Sequence, residues 1–251
     1  MQHARLILLP GLGADARLLS PQKAEFQDAL ETPDWLPPEP GEPLERYARR
    51  FAQHLRAGAN DDRPVFLGGV SFGGILAMHM AEALEPEAVL LIASCRSSDD
   101  VPLRFELAQK LGSAIPDAAA PKLLPLLAIG FALRDGLDWD HLGLLRQMAR
   151  DADPAVLQWG GHAVADWDFH DADDLPCPVH RIHGRHDWVI PWRDDDRAEA
   201  VAGRHLINLT LDRTVNDFIR GAVEQHGAQL PPRPVRPPAR ADRPTYLALG
   251  G

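Results

Sequence analysis

Lysine is scarce in this sequence, and acidic residues outnumber basic ones. Only Lys23, Lys110 and Lys122 occur in 251 residues, and the formal net charge is −10 at pH 7 with His neutral. Proteins that bind nucleic acid or anionic membranes neutralise phosphate groups with clusters of basic side chains. The charge balance therefore excludes nucleic acid and an anionic membrane surface as the main partner.

Cysteine and long apolar runs are also scarce. Cys95 and Cys177 are too few for a disulfide-stapled secreted scaffold, so we expect two reduced thiols in a cytoplasmic protein. The longest apolar stretch, Leu123 to Leu133, contains a proline and a glycine and is too short to span a bilayer. The apolar run before Pro10 is too short for the core of a signal peptide, so we expect no targeting segment.

What the sequence does contain is an alternation of short apolar runs and helical patterns. This alternation is typical of an α/β protein with a mostly parallel sheet covered by helices, and 251 residues with 45% hydrophobic side chains can bury such a core. The predicted strands are Arg5–Leu9, Trp35–Leu36, Pro64–Gly68, Ala88–Ala93, Val179–His183 and Glu199–Ala202. The predicted helices are Leu18–Leu30, Glu42–Leu55, Gly73–Leu84 and Leu211–Val223.

Two stretches depart from this alternation. Residues 97–174 show helical patterns without a strand, and we interpret them as a cap inserted over the carboxyl ends of the strands, where α/β sheets bind their ligands. From Gly227 onward the pattern fails, and six prolines fall between Pro231 and Pro244. We therefore predict one domain, residues 1–226, with the cap inserted at about residues 97–174, followed by a disordered or extended tail, residues 227–251.

The sharpest motif surrounds Ser71, in the segment GGVSFGG between a predicted strand and a predicted helix. It matches the pattern G-x-S-x-G, in which a very tight turn exposes the serine hydroxyl at a helix N-terminus. Gly69 and Gly73 lie two residues before and after the serine, where the turn leaves no room for a side chain. The alternative is a glycine-rich turn that grips a phosphate, but the sequence contains no G-x-x-x-x-G-K-[ST] motif.

With three further segments, this motif resembles the α/β-hydrolase family, and specifically its serine esterase and lipase-like members. The resemblance runs from about Arg5 to Val223 and is carried, in the family's order, by LILLPGLG, GGVSFGG, IHGRHDWVIP and GRHLINLT. It implies the α/β-hydrolase fold, with a mostly parallel central sheet flanked by helices and a helical cap insertion.

The resemblance also implies a catalytic triad in the chain order Ser, Asp, His. Ser71 is the expected nucleophile, Asp187 the acid that orients the base, and His205 the base. Asp99 and Asp100 stay open as alternative acids, because some family members carry the acid after the preceding strand.

For the oxyanion hole, the resemblance implies two backbone N–H donors, from Phe72 and Leu12. The chain has Pro10-Gly11 where many members have His-Gly, but a backbone donor does not depend on that histidine. Arg204 also departs from the usual glycine before the base, and we expect it to face solvent or to pair with a carboxylate.

His183 and His186 flank Asp187 and are too close to it in sequence for the usual position of the base. A metal site formed by these three residues is not expected, because a strand end followed by a turn does not place all of them on one face. The expected reaction needs no cofactor and no metal.

The sequence thus predicts a serine hydrolase that cleaves a small-molecule carboxylic ester with an apolar acyl group. The same triad serves a thioesterase, an acyltransferase, an amidase, a carbon–carbon hydrolase or a cofactor-free peroxidase, which differ in the shape of the pocket. A binding protein that kept the fold is the alternative from another class, although a binder has no need of all three residues. The oligomeric state stays open.

Overall fold

The computed structural model describes residues 2–58, 62–102, 120–193 and 197–234. The strands are β1 (Arg5–Leu9), β2 (Leu30–Glu31), β3 (Val65–Val70), β4 (Ala88–Ile92), β5 (Val179–Gly184) and β6 (Ala198–Val201). The α-helices of the described residues are α1 (Ser20–Phe26), α2 (Leu44–Ala57), α3 (Phe72–Leu84), α4 (Ala120–Asp135), α5 (Trp139–Asp151), α6 (Pro154–Ala165), α7 (Ile207–Thr210) and α8 (Asp212–Gln225). The predicted α/β class is confirmed.

All strands pair in parallel in one sheet, so both faces need to be covered. The central strands β3 and β4 accordingly contain no polar side chain. In β1, Leu6 and Leu8 point to the face packed against α1 and α8. The alternating residues Ile7 and Leu9 point to the opposite face, which is covered by α2 and α3. The buried residues of α2 recur every three or four positions, and this apolar stripe seats the helix on the sheet.

The strand order is β2-β1-β3-β4-β5-β6, so the chain runs outward from β1 to β2 and then returns to the other side of β1. The connections that leave β1 and β3 therefore diverge above the carboxyl ends of two adjacent strands. In open α/β sheets such a switch point is where a crevice forms and ligands bind. Here it lies between the turn at Gly11 and the turn at Ser71.

Between β4 and β5 the described part of the chain contains no strand, and α4, α5 and α6 fill the predicted cap region. The N-termini of α5 and α6 have side-chain caps, since Asp138 accepts from the backbone N–H of His141, and Asp153 from that of Ala155. The residues 103–119 of the predicted cap lie outside the described residues.

Two local predictions were wrong. Trp35–Leu36 is not a strand but an irregular segment, in which Trp35 packs its ring against Phe51 and Phe72 and donates its indole N–H to the carbonyl of Ala14. The edge strand is β2, which falls at the end of the single helix predicted over Leu18–Leu30. That helix is interrupted because Gln27 adopts a φ of 51° after α1.

The chain after α8 returns to the beginning of β1. Gln229 bonds through its backbone to Gln2 and Ala4, and Ala228 and Leu230 are buried against the core. Residues 228–230 of the predicted tail therefore pack against the body of the domain. Residues 235–251, including the apolar group Tyr246–Leu249, lie outside the described residues.

Candidate active site

Ser71 lies at the tight turn between β3 and α3, with φ 53° and ψ −120°. A non-glycine residue in this region is strained by about 1–3 kcal/mol, which the surroundings must offset. The backbone N–H of Ser71 donates to the carbonyl of Ile92 over 3.0 Å, and its carbonyl accepts from the hydroxyl of Ser94 over 2.7 Å. The neighbouring strand β4 therefore holds the turn from both sides.

The glycines around Ser71 meet the backbone of the adjacent strand. A Cβ atom on Gly73 would lie 2.4 Å from the carbonyl oxygens of both Leu9 and Pro10, and one on Gly69 would lie 2.7 Å from that of Leu9. Contacts of this length with backbone atoms cannot be relieved by a side-chain rotation. The spacing of glycines in the motif is thus a consequence of how closely the turn approaches β1.

Asp187 and His205 come together at the carboxyl end of β5 and in the loop before α7. The imidazole Nδ1 of His205 lies 2.8 Å from Oδ2 of Asp187, and both residues are at most 5% exposed. Oδ1 of Asp187 accepts from the backbone N–H groups of Val189 and Ile190, at 2.8 and 2.9 Å. These bonds orient the carboxylate toward the imidazole.

Burial raises the pKa of Asp187, but hydrogen bonds and charge interactions with His183 and His205 outweigh it and hold this pKa well below its ordinary value. The carboxylate is therefore ionised and can only accept hydrogen bonds. It follows that the 2.8 Å contact requires a proton on Nδ1 of His205, which leaves Nε2 of the neutral ring as the basic nitrogen.

His183 is fully buried and also reaches Asp187. Its Nε2 lies 3.2 Å from Oδ2 of Asp187 and 2.9 Å from the carbonyl oxygen of Ile190, both of which are acceptors. A guanidinium N–H of Arg181 approaches Nδ1 of His183 at 3.4 Å, and arginine cannot accept. The His183 ring therefore carries a proton on Nε2, which faces the carboxylate of Asp187 and the carbonyl of Ile190.

The alternative acids and bases lie elsewhere. The carboxylate of Asp100 faces Arg181 at 3.4 Å and accepts from the backbone N–H of Arg96 at 2.8 Å, and Asp99 is exposed. His186 is exposed as well, whereas His183 and Asp187 beside it are buried. Among the described residues, no group of three His, Cys, Asp or Glu side chains is arranged to hold a metal ion.

Two apolar cavities meet at Ser71. The first, of about 350 Å³, includes Ser71 and His205 in its wall and is otherwise lined chiefly by apolar side chains of the β1 turn, α4 and α5. The second, of about 250 Å³, includes Ser71, Phe72 and Cys95. Leu12 lines both cavities, and Phe72 lines the second. Phe72 is the first residue of α3, so its N–H has no acceptor within the helix.

Helix α6 of the cap packs directly against the turn that carries Leu12. A Cβ atom on Gly160 of α6 would lie 2.4 Å from the side chain of Leu12, and one on Gly13 would lie 2.8 Å from Leu157. Gly13 has a φ of 76°, a backbone conformation that glycine adopts freely. Small residues on both surfaces thus allow the helix to approach the turn.

A larger cavity of about 700 Å³ lies apart from this site, between α6 and the loop before α2. Glu39, Glu42, Glu45 and Asp166 are part of its wall, and neither Ser71 nor His205 is. The chemistry of the serine, the imidazole and the carboxylate favours the smaller apolar cavities as the site of reaction.

One buried acid was not foreseen from the sequence. Asp135, the last residue of α4, accepts from the backbone N–H groups of His205 and Leu206 and from the indole of Trp188. No local pattern marks it, because its partners follow 53 to 71 positions later in the chain. Arg204, which departs from the family pattern, is exposed and donates to the backbone carbonyl of Arg134.

A parallel sheet with a cap over its carboxyl edge and a serine on a strained strand-to-helix turn is the arrangement of the α/β-hydrolase fold. The family model described as the alpha/beta hydrolase family matches residues 6–245. The chain belongs to the alpha/beta hydrolase family.

Solved structures with the same fold carry several activities. They include a thermophilic esterase from Thermogutta terrifontis (18% identity, TM-score 0.67, 89% of this chain and 90% of that one). An E-2-(acetamidomethylene)succinate hydrolase (15%, TM-score 0.65, 89% and 92%) is also similar. So is a type II thioesterase of the yersiniabactin NRPS/PKS pathway (18%, TM-score 0.61, 90% and 94%). No curated protein matches the sequence. At these identities the solved structures establish the fold alone.

In the described residues, no helix has the length and apolar character needed to cross a membrane. Cys95 is fully buried, which raises the pKa of its thiol, and Cys177 is partly buried with its thiol pKa raised for the same reason. Both are free cysteines, and neither has the lowered pKa of a reactive thiolate.

Proposed function

We propose that this protein is a cytoplasmic serine hydrolase that cleaves carboxylic esters with an apolar acyl group through an acyl-enzyme on Ser71. The observation that carries the proposal is the 2.8 Å bond between Asp187 and Nδ1 of His205, in a histidine that shares an apolar cavity with Ser71. The bond leaves Nε2 as the base, and the cavity gives an apolar ester access to both residues.

In the proposed reaction, Ser71 Oγ attacks the ester carbonyl while His205 Nε2 takes the hydroxyl proton. The backbone N–H groups of Phe72 and Leu12 bind the oxyanion. His205 then delivers the proton to the departing alkoxide, and the acyl group stays on the serine. A water molecule, deprotonated by His205, attacks the acyl-enzyme and releases the acid, which restores the serine hydroxyl. Asp187 stabilises the imidazolium at each stage.

The two cavities suggest that both halves of the ester are apolar. They meet at the serine, so that the acyl group and the alcohol can lie on opposite sides of the reacting carbonyl. Two substrate series measure separately how long an acyl group and how long an alcohol the site accepts. The first is a set of p-nitrophenyl esters of increasing acyl length, and the second is a set of acetates of increasing alcohol length. Matched thioesters in the same assay distinguish an esterase from a thioesterase that uses the same residues.

Labelling by a fluorophosphonate tests the nucleophile, because only an activated serine reacts quickly. We expect the wild-type protein to be labelled and Ser71→Ala to be folded, unlabelled and slower in ester hydrolysis by roughly 10⁴-fold or more. The Ser71→Ala/His205→Ala double variant should be about as slow as either single variant, since the two residues act as one unit. A Ser71→Ala variant that keeps a tenth of the wild-type rate would remove Ser71 as the nucleophile.

The assignment of the acid is tested with three aspartates. Asp187→Asn should lower kcat by orders of magnitude, because an amide can favour the wrong tautomer of His205. The exposed Asp99→Asn is the matched control and should be silent. If Asp100→Asn were crippling while Asp187→Asn stayed active, the acid would be Asp100.

A further inference from the structure

The cap contributes a buried carboxylate to the loop that carries the proposed base. Asp135 is 3% exposed and terminates α4. Its Oδ1 accepts from the backbone N–H of His205 at 3.0 Å, and its Oδ2 accepts from that of Leu206 at 2.8 Å. Buried backbone N–H groups need an acceptor, and the side chain of Asp135 satisfies two consecutive ones.

The same carboxylate reaches the loop that carries the proposed acid. Oδ1 of Asp135 also accepts from the indole N–H of Trp188, the residue after Asp187, at 3.1 Å. The end of α4 packs on these loops in other ways, since the ring of Phe131 lies 4.9 Å from that of Trp188 and 6.0 Å from that of His205. The end of one cap helix therefore contacts both the loop that carries Asp187 and the loop that carries His205.

We infer that Asp135 is a positioning residue for catalysis, which fixes the backbone of His205 and thereby couples the docking of the cap to the orientation of the base. This inference rests on the function proposed above. Hydrogen bonds to an ionised acceptor are stronger and shorter than neutral ones, so a carboxylate holds the loop more tightly than a backbone carbonyl would. A misplacement of about 1 Å in a catalytic group can cost roughly 10²-fold in rate. We therefore expect loss of the hydrogen bonds from Asp135 to lower kcat.

Asp135→Asn tests this with little change of shape. An amide offers one acceptor and one donor, whereas all three partners of Asp135 are donors. Whichever way the amide is turned, its NH₂ group faces an N–H of the base loop, and at least one bond is lost. Asp138→Asn is the matched control, since Asp138 is an exposed carboxylate that caps the next cap helix and bonds the backbone of His141.

Three measurements on the full chain separate positioning from stability. The first is kcat and KM for p-nitrophenyl acetate, the second is the rate of fluorophosphonate labelling, and the third is the downfield proton resonance of the hydrogen bond between His205 and Asp187. We expect Asp135→Asn to lower kcat and the labelling rate about 10–100-fold, to leave KM within about threefold, and to displace the resonance. Asp138→Asn should change none of them.

A lower Tm in Asp135→Asn with kcat, labelling and the resonance unchanged would overturn the inference, as would an equal loss in Asp138→Asn. If Asp135→Asn does not fold, Trp188→Phe removes one of the three donors. It should lower kcat a few-fold at constant KM, and an unchanged kcat there would also overturn the inference. A wild-type protein that is not labelled would instead refute the proposed function.

Discussion

Asp187 keeps its charge in a buried position because four N–H groups approach its two oxygen atoms. Two come from the backbone of Val189 and Ile190 and two from the rings of His183 and His205. Burial by itself would raise the pKa of this carboxyl, but the interactions with these donors outweigh burial and lower the pKa. His183 thus takes part in the site although it is not the proposed base.

The lowered pKa of Asp187 predicts a loss of stability in acid. In the unfolded chain Asp187 binds a proton near its ordinary pKa of 3.8, whereas in the folded protein it binds one only at lower pH. The stabilisation from this carboxylate is therefore complete at a pH about one unit or more above 3.8. It is lost as the pH falls toward the pKa that Asp187 has in the folded protein. The free energy of unfolding in urea, measured between pH 6 and about pH 3, should show a gap between the wild-type protein and Asp187→Asn that narrows as the pH falls.

The control for this titration is Asp99→Asn, since Asp99 is exposed and near the same sheet edge. Its stability should follow the wild-type protein at every pH. A gap between wild type and Asp187→Asn that stays constant down to the lowest pH would mean that Asp187 does not carry the charge assigned to it.

At the scale of the element, the turn at Ser71 is held in place by how closely α3 and β1 approach. A glycine inside a helix normally weakens it relative to alanine. In α3, glycine is expected to be more stable than alanine at position 73, because a Cβ on Gly73 would lie 2.4 Å from two backbone oxygens. The same helix ends in a left-handed residue, Glu85, whose backbone N–H returns to Ala81.

We therefore expect the same substitution to have opposite signs in two helices. Gly73→Ala should destabilise the protein by about 1–3 kcal/mol, or more if the turn cannot shift. Gly221→Ala, in α8, should stabilise it by about 0.5–1 kcal/mol, because a Cβ there has no neighbour within 4 Å. Urea unfolding measures both, and a Gly73→Ala variant as stable as the wild-type protein would contradict the close approach.

At the scale of the whole molecule, the segment that follows α8 lies beside the residues that lead into β1. The backbone of Gln229 pairs with the residues that lead into β1, and the guanidinium of Arg220 donates to the carbonyl of Pro231. The last buried apolar residues of the described chain, Ala228 and Leu230, thus follow the point where helical periodicity ends. Neither of the two contacting segments has a periodic pattern of apolar residues from which the contact could be predicted.

Truncations on the two sides of this contact should differ. Removal of residues 235–251 should leave ester hydrolysis within about threefold and Tm within a few degrees. Truncation after Gln225 also removes two buried side chains and their backbone bonds, at about 2–4 kcal/mol, or a fall in Tm of roughly 5–15 °C. Size-exclusion chromatography should accompany both.

Two outcomes would change this view of the tail. A drop in apparent mass on removal of residues 235–251 would show that they join copies of the chain. A loss of activity at unchanged mass would show that they contribute to the active site of their own chain.

The parallel α/β core could be predicted from the sequence because its signals are local. A strand buried on both faces is a continuous apolar run, as in β1, β3 and β4, and a helix on a sheet repeats its apolar residues every three or four positions, as in α2 and α8. The turn at Ser71 was predictable too, since its glycines lie within a few residues of the serine.

Only the tertiary structure decided which residues surround the proposed base. Asp135 and the two cavities depend on the distance between segments that are far apart in the chain, and no periodicity records that distance. Helix α4 looks apolar in sequence, yet its last residue is a buried carboxylate, which is stable there because three N–H groups from two distant loops converge on it. Local patterns specify which face of an element is apolar, whereas the partners of a buried charge are specified by the packing of the whole chain.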